Sequence, residues 1–73
     1  MPLMNIHAPF AGIVHFLVEP GEHVRTGQAL ASVEAVKLEA PVVAPGPGVV
    51  SRLLVEDFGD VIGGEAVIEV KEA

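Results

Sequence analysis

The feature that most constrains this chain is that it repeats itself. Setting residue i beside i+36 pairs Ala8 with Ala44, Pro9 with Pro45, Gly12 with Gly48 and Val14 with Val50. One residue is inserted near Ser51-Arg52, after which the offset is 37: Leu17-Val18-Glu19 matches Leu54-Val55-Glu56, Val24 matches Val61, Gly27 matches Gly64, Ala29 matches Ala66 and Val33 matches Val70. A chain of 73 residues has room for one domain, 1–73, with one small core, so the two copies must share it.

Turn signals are dense: Pro9, Gly12, Pro20-Gly21, Gly27, Pro41, Pro45-Gly46-Pro47-Gly48, Gly59 and Gly63-Gly64. Only Gln28 to Ala40 leaves space for a helix, and propensity alone would accept one there. The repeat argues otherwise. The second copy of Ala29 to Val33 is Ala66-Val67-Ile68-Glu69-Val70, a β-branched strand pattern. Ala29 to Glu34 is therefore expected as a strand, with Ala29, Ala31 and Val33 inward beside Ala66, Ile68 and Val70. The other strands fall at Met4 to His7, Ile13 to Val18, near Val24, Glu39 to Val43, Val49 to Val55, near Val61 and Ala66 to Lys71. The expected class is all-β: a flattened barrel, or sandwich, of two antiparallel sheets related by a pseudo-twofold, with a β-bulge at the Ser51-Arg52 insertion.

Composition agrees and excludes. Apolar residues make up 51% of the chain, but the only aromatics are Phe10, Phe16 and Phe58, which suits thin sheets. There is no cysteine, hence no disulfide scaffold and no thiolate metal cluster. Ten acidic residues against four Lys plus Arg, a net charge of −6, oppose binding to nucleic acid or to an anionic membrane and favour basic protein partners. No apolar run approaches the roughly 18 to 20 residues of a membrane span and no leader pattern opens the chain, so a cytoplasmic location is expected.

Three groups of polar residues invite a chemical reading. His7, His15 and His23 recur every eight residues, but they fall on three different segments, which points to surface histidines and not to a metal site. Glu19 with Glu22, and Glu56 with Asp57 and Asp60, sit at equivalent loops of the two copies, as solvated turns do, and not as an acid–base pair. Gly46, Gly48, Gly63 and Gly64 form no phosphate-binding motif.

Glu34-Ala35-Val36-Lys37-Leu38-Glu39 is different. It joins the last strand of copy one to the first strand of copy two, where a tight hairpin is required. Such hairpins favour Asn-Gly or Asp-Gly because both central residues take positive φ. A β-branched Val36 there would cost about 1 to 3 kcal/mol. Either the turn is wider, or its residues are kept for an outside reader.

These six residues resemble the Glu-Ala-Met-Lys-Met-Glu signature of biotinyl domains, the carrier modules of biotin-dependent carboxylases. The resemblance extends to Pro9 and Gly12, as Pro-x-x-Gly, and to Ala44 to Gly48, as Ala-Pro-x-x-Gly, and so covers nearly the whole chain. It implies two four-stranded sheets with biotin carried on Lys37 at an exposed hairpin. It also implies recognition by a biotin protein ligase through Glu34, Ala35, Val36, Leu38 and Glu39, and a carboxyl group shuttled between a biotin carboxylase and a carboxyltransferase. The carrier itself is not an enzyme. With no insertion between Glu19 and Gln28, it should be thumbless. Val36 and Leu38 replace the two methionines, and Val before the lysine also occurs in the lipoyl carrier of glycine cleavage, as Glu-Ser-Val-Lys-Ala. Most lipoyl domains of 2-oxoacid dehydrogenases carry Asp before the lysine and Ala after it. A lipoyl carrier and an unmodified module remain as alternatives. The opening Met1 favours a separate small subunit over a domain cut from a longer chain.

Overall fold

The computed structural model describes residues 2–73; Met1, on which the expectation of a separate subunit rests, lies outside them. Eight strands follow one another: β1 (Leu3–His7), β2 (Gly12–Phe16), β3 (His23–Val24), β4 (Ala29–Glu34), β5 (Glu39–Val43), β6 (Gly48–Leu53), β7 (Asp60–Val61) and β8 (Ala66–Glu72). They form two four-stranded antiparallel sheets, ordered β1-β8-β6-β3 and β5-β4-β2-β7. Exchanging β1 with β5, β2 with β6, β3 with β7 and β4 with β8 converts one order into the other, so the sequence repeat is a structural pseudo-twofold. No helix occurs among the described residues.

The symmetry reaches individual hydrogen bonds. Gly27 N–H donates to Ala44 C=O at 2.7 Å and Gly64 N–H to Ala8 C=O at 2.8 Å. Leu17 N–H donates to Leu30 C=O, and Leu54 N–H to Val67 C=O, both at 2.9 Å. Gly27 and Gly64 close equivalent turns at φ 81° and 86°, a conformation open to glycine at little steric cost.

Both sheets turn their alternating apolar faces inward. Val14, Leu30, Val33, Val50, Val67, Ile68 and Val70 are fully enclosed, and no polar or charged side chain is buried among the described residues. Each such aliphatic contributes roughly 1.5 to 3 kcal/mol by leaving water. Pro41 lies in β5, an edge strand, where the absence of an N–H costs no ladder bond.

The expected bulge is present. Val50 pairs with Val70 and Arg52 with Glu69, leaving Ser51 as the extra residue of β6. Two further bulges were not anticipated. Pairing skips Leu30 in β4, between Ala29 and Ala31, and skips Val67 in β8 against β1. A bulge puts two successive residues on one face, so Leu30 and Ala31 are both buried, as are Val67 and Ile68. This corrects the inward placement of Ala29, which is exposed, and of Ala66, which is half-buried. Strands β2 and β6 also stop two residues short of the expected Val18 and Val55. There Leu17 and Leu54 turn their N–H groups to the bulged carbonyls, and the chain leaves the sheet.

Candidate functional site

Lys37 stands on the hairpin between β4 and β5, whose loop is the four residues Ala35 to Leu38. Glu34 pairs with Glu39 at its base, and Ala35 N–H donates to Leu38 C=O at 2.8 Å. The predicted strain at Val36 is absent. Phe58 is the one non-glycine residue with positive φ among the described residues, so Val36 and Lys37 both turn on the negative side. A four-residue loop built in this way accepts most side chains, which removes the need for Asn-Gly.

What the turn leaves outside is unusual. Val36 is 97% exposed and Leu38 61%, two apolar side chains flanking Lys37 in open solvent. Among the described residues the Lys37 amine joins no ion pair. Glu34 and Glu39, directly opposite each other, repel by about 0.2 to 1 kcal/mol. Nothing in the fold's own packing requires Val36, Lys37 or Leu38. Ala35, half-buried, is the hairpin residue that rests on the body, and all five expected recognition residues are gathered around Lys37.

The hairpin is held in place from below by Gly12. A Cβ added to Gly12 would lie 2.4 Å from the carbonyl oxygen of Glu34, so β2 can pass beneath the hairpin base only without a side chain. Its repeat partner Gly48 does the same for Lys71, at 2.3 Å. Beside the hairpin lies an open depression of about 630 Å³ between Ile13, Glu34, Val36 and Asp60. Ile13 and Asp60 were not marked by sequence reasoning as neighbours of the site. Strand pairing brings them there, Ile13 facing both Glu34 and Asp60.

The other polar residues occupy structural posts. His7 Nδ1–H donates to Gly64 C=O at 2.8 Å, His15 Nδ1–H to Asp57 at 3.3 Å, and the three histidines lie on β1, β2 and β3. No cluster of three or more His, Asp or Glu suited to a metal occurs among the described residues. Gln28 accepts the N–H of Arg25 and Glu65 that of Ile62, capping equivalent turns, and Glu22 accepts the N–H of Glu19 in a third. Asp57 accepts the backbone N–H of Phe16 at 2.9 Å, which, helped by His15 and Phe58 N–H and opposed by partial desolvation, holds its carboxyl below the usual Asp value.

An all-β, pseudo-twofold body thus presents Lys37, an amine without an ion-pair partner among the described residues, on an exposed hairpin. Residues 5–70 match the family model described as "Biotin-requiring enzyme", and the chain belongs to this biotin/lipoyl attachment family. It is 44% identical over 64 residues to an acetyl-CoA carboxylase of Schizosaccharomyces pombe, covering 81% of this chain and 3% of that protein. It is also 44% identical over 50 residues to a probable dihydrolipoyllysine-residue succinyltransferase component of the 2-oxoglutarate dehydrogenase complex of the same organism, covering 68% of this chain and 11% of that one. Its fold matches that of a single-chain, multi-domain long-chain acyl-CoA carboxylase with a TM-score of 0.89 at 24% identity, over 97% of this chain and 7% of the other. The chain thus spans only a small part of the relatives it matches.

Proposed function

We propose that this domain, residues 1–73, is a biotin carboxyl carrier with biotin joined through an amide bond to Nζ of Lys37. The observation that carries the reading is the Lys37 hairpin itself: an amine without an ion-pair partner, lifted clear of the body between two exposed apolar residues, in a family of biotin- and lipoate-bearing domains. The residues present fit the group, because attachment needs only a reachable amine and a surface for a ligase to read.

A biotin protein ligase would take hold of Glu34, Ala35, Val36, Leu38 and Glu39 and remove a proton from Nζ. The amine nitrogen then attacks the activated carboxyl carbon of biotin, and the activating group departs with its bonding pair. Once attached, biotin supplies a ureido nitrogen that accepts and gives up a carboxyl group. The domain does not catalyse that chemistry. Its part is tethering, which raises the local concentration of the carried group at a biotin carboxylase and then at a carboxyltransferase, for an acyl-CoA or 2-oxoacid acceptor. The setting is cytoplasmic on this reading.

The succinyltransferase relative supports a second reading, lipoate on the same Lys37. Biotin is favoured because the carboxylase relative covers 81% of this chain against 68%, and because Val36 and Leu38 replace the Asp and Ala that usually flank lipoyl lysines. Co-expression with a biotin protein ligase should add one biotinyl group to the wild type and none to Lys37→Arg. An unmodified wild type, together with a Lys37→Arg variant that supports carboxylase turnover as well as wild type does, would refute the proposal.

A further inference from the structure

The pseudo-twofold supplies an internal control: each residue on the outer face of one sheet has a twin on the other. Across the lysine-bearing sheet, pairing aligns Asp60, Ile13, Glu34 and Glu39 in the row next to the hairpin. The row behind it holds His15, Ser32 and Pro41, with Phe58 stacked on His15 at a ring-centroid distance of 4.7 Å. The twin rows are His23, Val49, Lys71 and Leu3, then Arg52, Glu69 and Asn5, with Gly21 in the place of Phe58.

Two copies with one core have thus acquired opposite surfaces. Three carboxylates crowd the row at the lysine hairpin where the twin row has a lysine, a histidine and no carboxylate. Of the Lys and Arg residues besides Lys37, Arg52 and Lys71 lie on the other sheet and Arg25 in the turn that leads from it into β4. The apolar exposure is equally one-sided. Of the large exposed apolar residues, Ile13, Val36, Leu38 and Val43 lie on the lysine-bearing sheet or its hairpin, Leu17, Phe58 and Ile62 on connections between the sheets, and only Leu3 on the other sheet.

Phe58 is the sharpest case. It is 67% exposed, so the core does not retain it, and it sits at φ 61° in the left-handed region that its twin assigns to Gly21 at φ 91°. A bulky residue is strained there. A large aromatic held in strain and left in water, stacked on a histidine, has the character of a binding anchor.

We infer that the outer face of the β5-β4-β2-β7 sheet is the surface by which the domain seats on a biotin carboxylase, with Phe58 entering an apolar depression and Asp60, Glu34 and Glu39 meeting a basic rim. The inference rests on the carrier reading above. Its chemistry is complementary: an enzyme that binds ATP holds a polyanion and carries Lys and Arg around its mouth, and a carboxylate row beside the hairpin steers the lysine toward such a mouth.

The test is a titration of the unmodified, methyl-labelled domain with the biotin carboxylase of its own host, followed by NMR. Methyl signals of Ile13 and Val43 should broaden while those of Leu3 and Val49 persist, and the association should weaken with added salt. Phe58→Gly and Asp60→His, each installing the residue its twin already carries, should weaken binding roughly tenfold or more. The reverse exchanges on the other sheet, Gly21→Phe and His23→Asp, should change it less than about twofold. No broadening, equal broadening on both faces, or equal effects of the two sets of variants would overturn the inference. Because the unmodified domain is used, these outcomes are independent of the group on Lys37. Intact mass of the host protein decides that separately.

Discussion

Substituting Gly12 by alanine tests how the body of the domain holds its hairpin. The new Cβ would stand 2.4 Å from the Glu34 carbonyl oxygen, 2.9 Å from its carbon and 3.1 Å from Val33 Cγ1. Ordinary contact begins near 3.4 Å, so β4 must retreat by about 1 Å against backbone that has no rotamer to yield. Overpacking of this kind costs about 1 to 3 kcal/mol. Loss of a ladder hydrogen bond at the Ile13–Glu34 pair adds about 1 kcal/mol, and the stiffer unfolded chain returns about 0.4 to 1. The net loss lies between about 1 and 4 kcal/mol, centred near 2.5. At roughly 0.05 to 0.15 kcal/mol per residue the whole domain holds only about 4 to 11, and Tm should fall by about 10 to 20 °C. Urea unfolding followed by circular dichroism measures this. Gly48→Ala should cost about the same, since its Cβ meets Lys71 O at 2.3 Å. The twins part in hydrogen exchange. Gly12→Ala should speed exchange of the Ala35 amide, which is bonded to Leu38 at the turn, whereas Gly48→Ala disturbs the opposite sheet. A loss below about 0.5 kcal/mol for Gly12→Ala, or an unchanged Ala35 amide in that variant, would refute the close-approach argument.

Other expectations are simpler to check. Val36→Met should alter the rate of biotinylation by a ligase while leaving Tm within about 2 °C, because Val36 is 97% exposed at ordinary φ; a large gain in Tm would revive the strained-turn account. Phe58→Gly should leave stability within about 1 kcal/mol, relief of the left-handed strain being offset by the lost stacking on His15 and a more flexible unfolded chain. Asp57 titrates below its unfolded value of about 3.9, so its hydrogen bonds to Phe16 and Phe58 N–H are fully available above that pH and lost as pH falls through the lower folded value. Asp57→Asn should therefore flatten the acid limb of the stability–pH curve, and an unchanged limb would contradict the capping role.

The duplication made most of the fold legible. Matching residues at offsets of 36 and 37 located the strands to within about two residues, overruled a helix at Gln28 to Ala40 and placed the bulge at Ser51. The bulges at Leu30 and Val67 escaped because they are symmetric. An insertion in one copy breaks the repeat, while the same irregularity in both leaves it intact. Their consequence, two consecutive buried residues, defeats simple alternation at Ala29 and Ala66. The turn at Val36-Lys37 is the wider of the two possibilities left open by the sequence, because loop length, which selects the turn type, depends on where pairing stops, and that is set by Glu34 and Glu39 facing each other. The place of Lys37 on the hairpin between the two copies was readable from the repeat. The face around it was not, because Ile13 and Asp60 come together only through pairing of β2 with β4 and β7. One signal did lie in the alignment: at offset 37 Phe58 falls on Gly21, an aromatic where its twin needs positive φ.

The central claim is that Lys37 carries biotin, and intact mass of the protein purified from its own host, followed by peptide mapping, tests it most directly. The account predicts one biotinyl adduct, confined to the peptide containing Glu34 to Glu39. A lipoyl adduct on Lys37, or an unmodified chain from cells with an active biotin ligase, would contradict it.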